Sequence, residues 1–254
     1  MIYFMLIIGL GGVCFLLYML YEAFQNNVVE ESIRFAEFPV NMKALRLFFI
    51  SDIHRRVIHS SIIEQVKGRA DYVIIGGDLL EKGVPLKRIK ENLQKLNEVA
   101  PIYFVWGNND YEIEVDRLQT LFEELHVKVL RNSAVILEAS DSESIALLGV
   151  DDISASTPKL DLALEAAQGS TFRILVSHNP SIVHSFDKEA NISLVLSGHT
   201  HGGQIHLFGY SPYEKGALHF MDHTTLLISN GYGTTGVPLR LGAKPETQLL
   251  TISD

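Results

Sequence analysis

Residues 192–203 read ISLVLSGHTHGG. Ile192, Leu194, Val195 and Leu196 make a short, nearly unbroken apolar run, the pattern of a strand covered on both faces. The run stops at Gly198, and His199 and His201 follow at i and i+2, on the same side of an extended segment. The flanking glycines let backbone come close to a ligand.

The same texture recurs upstream in ALRLFFISD (44–52), DYVIIGGD (71–78), PIYFVWGNND (101–110), SIALLGVDD (144–152) and FRILVSHNP (172–180). Between several of these runs the apolar positions change to helical spacing. Leu86, Ile89, Leu93 and Leu96 form one stripe, and Leu118, Leu121, Phe122 and Leu125 a second. Leu160, Leu162, Leu164 and Ala167 follow less cleanly. Buried strands alternating with amphipathic helices predict an α/β domain. Val28 onward, with Ile33, Phe35 and Phe38, reads as an edge strand before a turn at 39–41. QIHLF (204–208), TTLLISN (224–230) and TQLLTIS (247–253) read as strands without long helices between them, so the C-terminal third is expected to form a second sheet packed on the first.

The chemically capable residues share one address. Asp52 and His54 follow the first buried run, Asp78 the next, and Asn108, Asn109 and Asp110 the third. His178 follows FRILVS, and His199 and His201 follow SLVLSG. Ligands of open α/β sheets collect outside the carboxyl ends of the strands. Imidazole with carboxylate and amide oxygen suits manganese, iron or zinc, and the single cysteine, Cys14, offers no thiolate outside the N-terminal apolar segment. Asp52, His54, Asp78, Asn108, His178, His199 and His201 exceed the ligand set of one ordinary ion, so two divalent metal ions are expected, with Asp78 from a central strand as their bridge. Taken singly, each fragment is an ordinary turn or a hydrogen-bonded histidine; the conjunction at strand ends carries the reading.

Met1–Tyr21 contains no charged side chain, and about 20 apolar residues are needed to cross a bilayer as a helix. No Lys or Arg precedes the run and no small-x-small site follows it, so an uncleaved anchor over 1–21 is expected rather than a signal peptide. EAFQNN (22–27) reads as a short polar linker, and 28–254 as the catalytic domain. The first basic residues, Arg34, Lys43 and Arg46, lie after the run, which leans the domain to the cytoplasmic side of a single-pass protein of the cell membrane. A net charge of −9 excludes a broad basic face for nucleic acid.

The order Asp-x-His, Gly-Asp, Gly-Asn, His, Gly-His-x-His resembles the calcineurin-like metallophosphoesterase superfamily over about residues 44–254. LVLSGHTHGGQI (194–205), ILVSHNP (174–180) and SNGYGTTGVPLRLGAKPETQLLTI (229–252) are most similar to its bacterial membrane-associated branch of YkuE and YaeI type. The resemblance implies a four-layer α/β/β/α sandwich of two facing mixed sheets, here preceded by one transmembrane helix. It implies one ion held by Asp52, His54, Asp78 and His201 and the other by Asp78, Asn108, His178 and His199. It also implies phosphoester hydrolysis by a metal-bridging hydroxide. Given the anchor, a lipid-linked or envelope phosphate ester is the expected substrate.

The chain departs from the family's Gly-Asn-His-Asp or Gly-Asn-His-Glu pattern, having Asn109 where the histidine stands. Asn109 can donate a hydrogen bond to phosphate but cannot supply a proton near neutral pH, which points to diesters or pyrophosphates with good leaving groups. Asp110 is expected to orient Asn109 or cap a turn, and Arg240 to meet the phosphate or a carboxylate on the surface. The competing readings are a weakly catalytic, membrane-tethered metal-binding scaffold of the same fold, and a metallo-β-lactamase-like hydrolase. The second needs a compact His-x-His-x-Asp-His run, and Gly202, Gly203 and Gln204 follow His201 instead.

Overall fold

The computed structural model describes residues 1–139, 143–154, 158–213 and 215–254. Two sheets lie face to face. The first joins β1 (Val28–Arg34), β12 (Thr247–Ser253), β2 (Leu45–Ile50), β3 (Tyr72–Ile75), β4 (Ile102–Phe104) and β5 (Lys128–Val129), in that order. The second joins β10 (Ala217–Phe220), β11 (Thr225–Ile228), β9 (Leu194–Ser197), β8 (Phe172–Val176), β7 (Ser144–Gly149) and β6 (Ser133–Ala139). β2 to β5 run parallel, as do β7, β8, β9 and β11, with antiparallel pairing of β12 to β2, β6 to β7 and β10 to β11. Both sheets are therefore mixed.

Parallel neighbours need crossovers, and the amphipathic stripes supply them. α2 (Ser60–Val66), α3 (Leu86–Asn97) and α4 (Val115–Glu124) link the strands of the first sheet and pack Ile62, Leu93 and Phe122 on its outer face with Phe48, Ile75 and Phe104. α5 (Leu160–Ala166) does the same for the second sheet, against Leu148 and Leu175. Between the sheets, Leu47, Phe49 and Ile74 meet Leu147, Ile174 and Leu196. Each central strand is buried on both faces, which is why its sequence is a run and not an alternation. The layers are helix, sheet, sheet, helix.

Three expectations change. The second sheet begins at β6, in mid-chain, and the last strand, β12, returns to the first sheet between β1 and β2. QIHLF forms no strand: Ile205 makes isolated bridges to Leu241 and Gly242, and Leu207 pairs with Tyr210 across a tight turn. The segment 22–27 is not a free linker. The apolar helix α1 runs from Ile2 to Ala23, and Met19, Glu22 and Ala23 are already buried on the domain. Arg240 N donates to Met19 O (3.1 Å), and Gly242 N donates to the carboxylate of Glu22 (2.8 Å). Arg56 caps the end of α1, donating to the carbonyls of Ala23, Phe24 and Gln25 and to the side chain of Asn26, while its guanidinium lies 3.7 Å from the ring centre of Tyr232. Beyond this docked turn, α1 is exposed and apolar, with a mean hydropathy of 2.3 over its most apolar 18 residues. At 1.5 Å per residue it is about 33 Å long, enough to cross a bilayer.

Candidate metal centre

The loops leaving β2 and β3 are tied to each other by their backbones, as are those leaving β8 and β9, and the segment after β11 is tied to the end of β2. Asp52 N donates to Gly77 O (3.0 Å), His54 N to Asp78 O (3.1 Å), Gly198 N to His178 O (3.0 Å) and Tyr232 N to Ser51 O (2.9 Å). This fixes the donors before any side chain is considered. Asp52, His54, Asp78, His199 and His201 all have φ between 51° and 70°. That left-handed conformation costs a non-glycine residue on the order of 1–3 kcal/mol, and it persists where the surroundings over-determine it, as at functional sites. Two glycines are required by close approach: a Cβ on Gly107 would stand 2.3 Å from Asp78 Oδ1, and one on Gly198 2.3 Å from Asp52 Oδ2.

The side chains converge. His54 Nε2 and His201 Nε2 are 3.1 Å apart, and His201 Nε2 is 3.4 Å from Asp52 Oδ1. Asp78 Oδ2 lies between His54 Nε2 (3.7 Å) and His178 Nε2 (3.3 Å). His199 Nδ1 is 3.2 Å from His178 Nε2 and 3.0 Å from Asn108 Oδ1. Ligand atoms of Asp52, His54 and His201 lie within 4.8 Å of one another, and so do those of Asp52, Asp78 and His178, so Asp52 belongs to both groups. The structure thus brings all seven expected donors to one place.

The electrostatics match a cation site. Burial, with the charges of His54 and Arg240 against the pull of Asp52, holds the His201 ring down to about 4, so it stays neutral with a lone pair to give. Asp78 is held down to about 2: burial opposes its charge, but His178 and His54 outweigh it. His178, which burial alone would push down, is pushed up to about 10 chiefly by Asp78. Buried carboxylates at this point draw in positive charge, as protons on histidine or as metal. Lone pairs of imidazoles packed nitrogen to nitrogen, beside carboxylates and an amide oxygen, are the donor set of borderline divalent ions.

Residues that touch no ion hold this arrangement. His178 Nδ1 donates to Gly76 O (2.9 Å), which turns Nε2 inward. Glu81 Oε2 lies 3.2 Å from His54 Nδ1, on the far side of the ring, and Arg55 pairs with the other carboxylate oxygen. The His54 contact, against burial and with Arg55, keeps Glu81 down to about 2. The sequence reading missed Glu81, three residues after Asp78 in GDLLEK (77–82). It also passed over Asp152, buried at the end of the β7 run, whose charge reaches His199; GVDD satisfies the strand-end rule applied to the other donors.

Asp110 does not orient Asn109. It is fully buried and accepts from the amides of Gly107 (2.8 Å), Asp78 (2.8 Å) and Leu80 (3.2 Å), so it caps the turn that begins at Gly107 and knits the β3 and β4 loops. Burial, then Asp78, pushes its carboxyl up to about 8, against those amides. Asn109 sits at the rim: its amide donates to Asp78 Oδ1 (2.8 Å), and its carboxamide joins Glu112 (3.0 Å) and Asn108 (2.9 Å). Arg240 is neither a phosphate ligand nor a surface arginine. Its side chain is 0% exposed and donates to the carbonyls of Asn230, Gly231, Gly233, His201 and Ala243.

The model of the calcineurin-like phosphoesterase family matches residues 45–203, which contain all of these donors. The chain belongs to that family. Among relatives, YpbG of Bacillus subtilis is 46% identical over 210 residues, covering 82% of this chain and 81% of its own length. An uncharacterized metallophosphoesterase of Helicobacter pylori is 30% identical, with 83% of this chain covering 60% of it. A transmembrane protein with a metallophosphoesterase domain from Danio rerio is 30% identical, with 87% of this chain covering 56% of it. The calcineurin-like chain described here thus spans less than two thirds of the latter two. Among solved structures, the NAD nucleotidase NadN of Haemophilus influenzae superposes with a TM-score of 0.54 at 17% identity, over 75% of this chain and 45% of that one, a likeness of fold.

Proposed function

We propose that the protein is a membrane-anchored phosphoesterase that holds two divalent ions, one on Asp52, His54, Asp78 and His201 and the other on Asp78, Asn108, His178 and His199. The observation that carries this reading is the convergence of these donors, five of them in left-handed backbone, with Asp78 Oδ2 set between the His54 and His178 rings. Bound there, such ions supply Lewis acidity, lowering the pKa of water and drawing charge from phosphate oxygens. The protein fixes the donors in geometry, with His201 held neutral and Asp78 held ionised, so little reorganisation is left for the reaction itself. Asn109, at the rim, offers an N–H to a phosphate oxygen but no proton to a departing alkoxide. The favoured substrates are therefore diesters or pyrophosphates whose leaving groups depart unaided, with a lipid-linked or envelope compound as the physiological one. On this reading α1 crosses the membrane once, and Arg34, Lys43 and Arg46 after it favour a cytoplasmic catalytic domain by the positive-inside rule.

The weak-scaffold reading is favoured by one observation, the Asn109 carboxamide already engaged by Glu112. One experiment separates the two. The full chain in detergent is stripped of metal, resupplied with manganese, and given bis(p-nitrophenyl) phosphate or p-nitrophenyl phosphate beside Asp78→Asn. Diester cleavage restored by metal and lost in the variant supports the enzyme. Equal monoester cleavage removes the diester preference, and no turnover of either compound with metal bound favours the scaffold.

A further inference from the structure

The loop that follows the metal ligands ends in an apolar tip with no packing role. Leu207 and Tyr210 exchange backbone hydrogen bonds (3.0 and 2.9 Å) across Phe208 and Gly209, whose φ values of 53° and 81° make a two-residue turn of the type that strongly favours Asn-Gly. An aromatic residue at the first of these positions strains the backbone, and Phe208 gains nothing inside the protein, being fully exposed. Leu207 and Tyr210 are 63% and 75% exposed. Residues 204–213 contain no Asp, Glu, Lys or Arg in a chain of net charge −9, and His206 turns inward to Gly202 O (2.7 Å).

The base of this hairpin is bonded to the segment that grips the foot of α1. His206 N donates to Leu241 O (2.8 Å), while the residues on either side of Leu241 grip the helix, Arg240 N at Met19 O (3.1 Å) and Gly242 N at Glu22 (2.8 Å). Gln204 joins a second uncharged loop to the first, donating to Thr235 O and Val237 O (both 3.1 Å), and Val237 is half exposed. The domain therefore reaches along α1 as far as Met19, one turn into the apolar stretch, and the exposed Leu207, Phe208, Tyr210 and Val237 lie on loops tied to the segment that grips it.

We propose that the Leu207–Tyr210 hairpin and the Val237 loop enter the interfacial layer of the bilayer beside the foot of α1, holding the metal centre against the membrane surface. This rests on the reading of α1 as membrane-spanning. Aromatic rings with an apolar body and a polar edge settle at headgroup depth, and uncharged tips next to an anchor meet lipid before water. His201 precedes the hairpin by only a few residues, so phosphate groups of membrane lipids are the phosphoesters nearest the centre.

The full chain is reconstituted into vesicles of phosphatidylcholine and phosphatidylglycerol, with an environment-sensitive fluorophore on one cysteine at a time. The sites are native Cys14 and, each in a Cys14→Ser background, Phe208→Cys, Tyr210→Cys as a second tip reporter, and Lys128→Cys on the far edge strand. Shallow spin-labelled lipid is expected to quench the tip reporters about twofold, as for interfacial segments, and to leave position 128 unchanged. Quenching at Cys14 by deep spin-labelled lipid, with none at either tip site by the shallow one, overturns the proposal and leaves the anchor standing. A blue-shifted tip reporter that lipid does not quench overturns it in favour of a second copy of the chain. No quenching at Cys14 by deep spin-labelled lipid removes the anchor reading, and the proposal with it.

Discussion

The guanidinium of Arg240 stands 3.3 Å from Nδ1 of His201, and it reaches there only by collecting the carbonyls of Asn230, Gly231 and Gly233 around itself. Burial lowers it to about 10, still a cation at neutral pH. Arg240→Met leaves these buried acceptors without donors and is expected to cost about 3–5 kcal/mol, lowering the melting temperature by about 10 °C. Arg240→Lys is expected to rescue little, because an ammonium has three donors and no planar fork. Thermal unfolding of both variants checks this; a methionine variant as stable as the parent refutes the role.

Glu81 braces His54 from behind the ring. Glu81→Gln removes the charge that keeps the imidazole oriented and basic, and metal affinity is expected to fall about tenfold, with Glu81→Ala nearer 100-fold. Competition with a chelator reads the affinity, and melting of the metal-free protein controls for folding. Unchanged affinity in both variants would show that His54 needs no brace.

Asp110→Asn keeps the volume of the side chain but replaces one acceptor oxygen with an N–H₂ group facing amide donors. Each amide of Asp78, Gly107 or Leu80 left unpaired costs about 1–3 kcal/mol, and the β3 and β4 loops that carry Asp78 and Asn108 should separate. The expected result is lower stability together with loss of bound metal, read by calorimetry and elemental analysis. Full metal content at an unchanged melting temperature contradicts it.

Asn109→His restores a group able to protonate a leaving alkoxide. Turnover of alkyl phosphodiesters is expected to rise at least about tenfold, with little change for p-nitrophenyl esters, which need no acid. If the alkyl rates do not move, Asn109 is not what narrows the substrate range.

Much of this was legible in the chain because burial on both faces leaves a mark that needs no partner to be read. ALRLFFISD and ISLVLSGHTH announce central strands, and the polar residue that ends each one announces the site. Strand partners leave no such mark. Nothing in TQLLTIS says that it slides between β1 and β2, since that choice is made by residues some 200 positions away. QIHLF has strand composition but only isolated bridges to Leu241 and Gly242 and a tight turn of its own. Arg240 was misread for a related reason: its acceptors are main-chain carbonyls, which carry no residue identity. Glu81 hid in a loop, where a carboxylate is ordinarily unremarkable.

The capping of α1 by Arg56 and the bond from Gly242 to Glu22 have a mechanical consequence. A catalytic body on a slack tether sweeps a hemisphere and meets bonds at every elevation. With α1 in a bilayer, a body whose first residues after the helix are bonded into it works at one elevation. Scissile bonds would then be sorted by their distance from the membrane plane before chemistry discriminates among them, with α1 serving as a ruler.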